Sequence, residues 1–170
     1  MKMGKRTHSC GDLQKSDIGR DVTLMGWVAR VRDLGGITFI DLRDREGITQ
    51  ILVRPDAGKE IVETAKKVGS EWVVAAHGTV VERETANPDL PTGEIEVNAS
   101  AFEVLSESKV PPFLPADEGI TEETRLRYRY LDLRRPALLK NLAVRSRLAI
   151  ETRRYLDSQG FYEIETPILT

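Results

Sequence analysis

The chain has 170 residues, 40% of them hydrophobic and 31% charged, with a net charge of −2, which allows one sizeable core and argues against disorder as the default. There is no overall positive field, so a polyanion would have to be met by local basic patches. The lone cysteine, Cys10, excludes an internal disulfide framework and a cysteine-based zinc site. No run of 18 apolar residues and no signal-peptide apolar region are present, so no membrane span is expected and the chain is expected in the cytoplasm.

Residues 1–20 are polar and rich in turn formers. From Asp21 the pattern has period two, with Val22, Leu24 and Gly26 on one face and Thr23, Met25 and Trp27 on the other, as a half-buried strand requires. Residues 27–54 read as three consecutive strands, turned by Gly35-Gly36 and again by Asp44-Arg45-Glu46-Gly47. Pro55-Asp56-Ala57-Gly58 breaks the pattern, and residues 59–68 read as a short helix carrying Ile61, Val62, Ala65 and Val68, stopped by Gly69. A fourth strand is expected over 71–81 with a bend at Gly78, then a loop holding Asn87-Pro88 and Pro91-Thr92-Gly93, then a fifth strand from Glu94 through Leu105. Five strands with a helix between the third and fourth describe a mainly β domain, a five-stranded Greek-key barrel on the OB-fold plan, over residues 1–106.

Residues 107–124 read as a linker stiffened by Pro111, Pro112 and Pro115. Beyond it, residues 125–135 hold five arginines in eleven positions. Pro136 suits the first turn of a helix expected over 137–158, with Val144, Leu148, Tyr155 and Leu156 on one side, and Gly160 ends it. A final strand is expected over 161–169, so that residues 125–170 start a second domain.

An OB barrel is a scaffold whose function lies in its exposed face, where aromatics stack bases and basic residues track phosphates. Phe39 shares a strand face with Asp41 and Arg43 while Ile40 and Leu42 point the other way, although a lone phenylalanine is more often a core residue. Arg30 and Arg32, two apart, share a face and suit phosphates or a base edge, or else surface ion pairs with Asp33 or Asp41. Gln50 offers a donor and an acceptor that match a base edge, and reads equally as an ordinary edge-strand glutamine. Glu96 suits guanine N1 and N2, or is one more surface carboxylate. No phosphate loop, nucleophile elbow or HExxH motif occurs, and the pairs Glu94/Glu96 and Glu163/Glu165 are strand alternations. His8 beside Cys10 makes at most two metal ligands, so no metal site is expected.

The run MGWVARVRDLGGITFIDLRDREGITQI resembles the anticodon-binding domain of bacterial-type aspartyl-tRNA synthetases. RYRYLDLRRP is similar to the hinge-to-catalytic junction of that family, and GFYEIETPIL to motif 1 of class II aminoacyl-tRNA synthetases. The resemblance implies that Phe39 stacks on the central anticodon uridine and Gln50 reads its edge. It also implies that Arg30 and Arg32 hold the anticodon backbone and bases, that Glu96 faces the first anticodon base and that Arg83 supports the loop. Gly160, Phe161 and Pro167 would belong to a motif 1 dimer interface, with tRNA-Asp as partner and a homodimer as the full-length assembly. Leu34 stands at a turn where relatives that also charge tRNA-Asn often carry histidine, and leans towards tRNA-Asp alone. The family uses ATP and Mg2+ through motifs downstream of motif 1, so this chain is expected to be an N-terminal fragment, without cofactor, that binds tRNA and does not catalyse. A free-standing OB module for single-stranded nucleic acid or a protein partner is the alternative.

Overall fold

The structure, a computed structural model, describes residues 3–167. Two compact units are present, Met1–Pro111 and Pro112–Thr170. The first is a closed barrel of five strands: β1 (Asp21–Leu34), β2 (Ile37–Arg43), β3 (Ile48–Val53), β4 (Val73–Glu82) and β5 (Ile95–Ser106). Around the barrel the order is β1-β2-β3-β5-β4, and β4 pairs back onto β1. Every pairing is antiparallel except that of β3 with β5. Helix α1 (Lys59–Lys67) lies between β3 and β4 in the chain, as the sequence predicts.

Closure removes the exposed strand edges and gives one enclosed core. Val22, Leu24 and Val28 of β1 meet Ile40 and Leu42 of β2, Ile51 and Val53 of β3, Val74, Ala76 and Val80 of β4 and Ile95 and Val97 of β5. Ala65 and Val68 of the α1 region join the same cluster. Gly35 and Gly36 both have positive φ, 62° and 88°, the conformation that a two-residue hairpin turn demands and that other residues resist. At Gly78 a Cβ would lie 2.0 Å from the Asn98 carbonyl oxygen; the bend expected there is a close backbone crossing, opposite a register shift in the β4–β5 ladder.

The most consequential irregularity is in β1. Val28 pairs with Leu42, but Arg30 pairs with Asp41, so Ala29 is an extra residue in the ladder. Strict alternation from Val22, Leu24 and Gly26 would send Arg30 and Arg32 to the core face. The bulge at Ala29 inverts the parity: Val31 takes the inward place opposite Ile40, and Arg30 and Arg32 turn outward opposite Asp41 and Phe39.

In the second unit α2 (Glu122–Arg127), α3 (Arg129–Asp132) and α4 (Pro136–Ser158) follow one another. The Thr121 side chain caps α2 by accepting from the Thr124 amide, and Pro136 occupies the first turn of α4. The arginine-rich stretch is organised by Asp132, whose side chain is fully covered. Arg125 Nε donates to its Oδ1 at 2.7 Å, Arg129 Nη1 donates to its Oδ2, and Arg135 Nε stands 4.0 Å away. The Arg125 guanidinium holds the Asp132 carboxyl below the usual carboxylate range; burial opposes this, and Arg129 adds to it.

The strand expected over 161–169 is not formed in its described part. Residues 161–167 have no ladder partner, and a strand exists only through such pairing; residues 168–169 lie outside the described residues. Gly160 does end α4, with φ 83° and its amide bonded to the Asp157 carbonyl. Phe161 is exposed, as is Pro167, and Glu163 is held by Arg153 at 2.8 Å.

Candidate nucleic-acid interface

The outward face of β1, β2, β3 and β5 carries its side chains in cross-strand rows. Arg30, Asp41, Gln50 and Glu96 form one row through successive register pairs. Arg32, Phe39 and Leu52 form the next, and Leu34 with Ile37 begins a third beside the hairpin turn. Paired residues project on the same side, so the second-row ring stands directly beside the polar first row.

Gln50 is the hub. Its Oε1 accepts from Arg32 Nη2 at 2.9 Å and from Arg83 Nη2 at 2.9 Å, and its Nε2 donates to Glu96 Oε2 at 2.6 Å. Two arginines on one side and a carboxylate on the other fix which way the amide points. Arg32 is further tied to Asp41 Oδ1 at 3.0 Å, and its guanidinium carbon lies 6.0 Å from the centre of the Phe39 ring. The Arg32 Nε is buried and has no hydrogen-bond partner among the described residues.

Neither bland reading of Gln50 and Glu96 survives. Gln50 lies on β3, flanked by β2 and β5, and is 4% exposed; Glu96 is 5% exposed. Phe39 is not a core residue either: it is half-buried on the outward face, between the buried Thr38 and Ile40. Of the ion pairs weighed for the arginines, Arg32 with Asp41 is present.

Arg32, Phe39, Gln50 and Glu96 line an open cavity of about 240 Å3 together with Leu34, Ile37, Leu52, Arg54, Arg83, Glu84 and Thr85. That is below the roughly 300–1,000 Å3 of sites for whole small molecules, and suits one flat group of a larger ligand. Five of the six residues singled out from sequence, Arg32, Phe39, Gln50, Arg83 and Glu96, meet in this cavity; Arg30 does not line it and stands exposed to one side. Sequence reasoning missed Leu52, Arg54 and Asp41 as parts of the site. The signal for the first two was available, since Gln50, Leu52 and Arg54 follow one another at the period-two spacing of β3.

Elsewhere the geometry offers little reactive chemistry. No three His, Cys, Asp or Glu side chains converge as metal ligands among the described residues. Burial, then the neighbouring Asp44 charge, pushes the Cys10 thiol far above its ordinary pKa, which leaves it inert. No helix among the described residues is long and apolar enough to cross a membrane.

Comparison with known proteins agrees with this arrangement. Residues 22–105 match the family model of the OB-fold nucleic acid binding domain of the tRNA anticodon type, and residues 121–170 match that of the class II tRNA synthetases of the D, K and N group. The aspartate–tRNA ligase of Lactobacillus acidophilus is 51% identical over 98% of this chain and 27% of that protein. The aspartate–tRNA(Asp/Asn) ligase of a Geobacillus species is 50% identical over 97% of this chain and 28% of that protein. Among solved structures, the asparaginyl-tRNA synthetase of Pyrococcus horikoshii superposes with a TM-score of 0.82 at 30% identity, over 98% of this chain and 37% of that one. The aspartyl-tRNA synthetase of Entamoeba histolytica does so with a TM-score of 0.83 at 25% identity, over 97% and 40%. The chain thus spans somewhat over a quarter of the length of the curated relatives it matches. An anticodon-type barrel leading into the start of a class II synthetase domain, with relatives of that kind along almost its whole length, places this chain in the aspartyl-tRNA synthetase family of class II aminoacyl-tRNA synthetases.

Proposed function

We propose that the barrel recognises the anticodon of tRNA-Asp on behalf of an aspartate–tRNA ligase, in which aspartate is activated with ATP and Mg2+ and passed to the tRNA. The observation that carries this reading is the Gln50 hub beside a half-buried aromatic on the outward face. Phe39 presents a ring on which a base can stack, flanked by groups whose polar atoms are already oriented for a base edge. Because both Oε1 contacts of Gln50 go to arginines, what it offers a base is its remaining Nε2 hydrogen, which suits a carbonyl such as that of uridine. Glu96 supplies the acceptor on the neighbouring side. Arg83 acts chiefly by holding Gln50, and Arg30, exposed outside the cavity, is placed for the phosphate backbone.

Leu34 is 62% exposed at the hairpin end of the same face, and supports a preference for tRNA-Asp alone. Gly160, Phe161 and Pro167 would take part in a homodimer of the full-length enzyme, working in the cytoplasm. The chain itself holds the recognition half, and the purified 170 residues are expected to show no ATP–pyrophosphate exchange.

Titration of the chain with the tRNA-Asp anticodon stem-loop and with an unrelated stem-loop tests the reading. Preference for the cognate loop is expected. Equal affinity for both would favour a free-standing module for single-stranded nucleic acid.

A further inference from the structure

The third row of the outward face contains a charge that no neighbour uses. Arg54 follows the last residue of β3 in extended conformation, φ −86° and ψ 157°, so the period-two alternation runs on through Gln50, Leu52 and Arg54. Continuing the register that pairs Thr38 with Val53 sets Arg54 across from Ile37, next to Leu34. Four residues of strand put it roughly 13 Å from Gln50, at the far end of the same cavity.

Its situation differs from that of the other two arginines of the cavity. Arg32 and Arg83 are both spent on Gln50 Oε1, and Arg32 also on Asp41. The exposed Arg54 side chain makes no hydrogen bond or ion pair with any described residue, although Glu84 lines the same cavity. A guanidinium held in one plane by an amide and a carboxylate is equipped to read an edge. One that is untethered at a rim is equipped to follow a charge whose position varies, as a phosphate does.

We propose that Arg54, beside Leu34 and Ile37 of the third row, binds a backbone phosphate of the nucleotide adjoining the base stacked on Phe39. This rests on the anticodon reading of the same face and extends it by one residue. The contact fixes the path of the strand and carries no base preference.

The test is titration of the 170-residue chain and its R54A and R54K variants with the anticodon stem-loop between about 50 and 200 mM salt, repeated with loops altered at each base flanking the stacked one. One lost phosphate contact lowers the log–log salt slope by about 0.7, so the advantage of the unmodified chain over R54A should shrink about 2.5-fold across that fourfold range. The loss should be the same for every loop, and R54K, which keeps the charge, should restore most of the slope. A slope unchanged in R54A, or a loss confined to one base identity, would overturn the proposal while leaving the anticodon reading intact. Failure of the unmodified chain to bind any of these loops would overturn both.

Discussion

At the scale of single residues, the site is explained by what each side chain has left to give. Among the described residues, Gln50 has its acceptor filled and one donor hydrogen free, and Arg32 retains a buried Nε without a partner; Phe39 has one face towards the Arg32 guanidinium and part of its ring open. Stacking on an aromatic is worth roughly 1–3 kcal/mol per base. Phe39→Ala should therefore weaken stem-loop binding by about that amount without unfolding the barrel, since the ring is not part of the core; calorimetric titration beside a melting curve would measure both. Undiminished binding would remove Phe39 from the interface.

At the scale of elements, the meander of β1, β2 and β3 could be read from alternation and from two turns, and α1 from its apolar spacing. The bulge at Ala29 could not be read so directly, although Val22, Leu24, Gly26 and Val28 share a parity with Arg30 and Arg32, and that conflict was its trace. The same device sets the composition of the outward face, because only the inverted parity brings the two arginines to it. Burial of Gln50 and Glu96 was illegible for another reason: Arg32 of β1 and Arg83 after β4 bond Gln50, and Gln50 of β3 bonds Glu96 of β5, partners that no local window contains. In the other direction, periodicity over-read residues 161–169 as a strand, since alternation describes a face and says nothing of whether a partner exists.

Three of the five arginines in residues 125–135, Arg125, Arg129 and Arg135, are gathered around one carboxylate. Asp132 has a lowered pKa in the folded chain, first through its bond to Arg125, so its contribution to stability is fully present above the ordinary carboxylate pKa and is lost as pH falls through the lower folded value. Amide exchange protection in α2 and α3 should accordingly persist through the usual carboxylate range and fall only below it. In Asp132→Asn that acid transition should be absent and protection lower at neutral pH; an unchanged profile would show that Asp132 does not organise the turn.

At the scale of the whole molecule, the two units differ in how they use apolar surface. The barrel encloses its own, whereas α4 has no buried residue, and Leu142, Val144, Leu148, Tyr155 and Leu156 are all exposed along it. Exposed apolar side chains along one helix suit contact with other protein. If it belongs to the assembly proposed above, the chain should self-associate as its concentration rises, and Leu148→Glu should shift it towards monomer in sedimentation without altering stem-loop affinity. A chain monomeric at all concentrations would show that α4 alone does not make the contact.

We infer that the Phe39–Gln50 corner reads one base. Its most direct measurement is the affinity of the chain, and of Gln50→Ala, for the tRNA-Asp anticodon stem-loop and for the same loop with its central uridine replaced by cytidine, which carries an amino group where uridine has a carbonyl. The unmodified chain should favour uridine, by about the 1–3 kcal/mol typical of a good base contact, and Gln50→Ala should abolish the difference. Equal affinity of the unmodified chain for the two loops would contradict it.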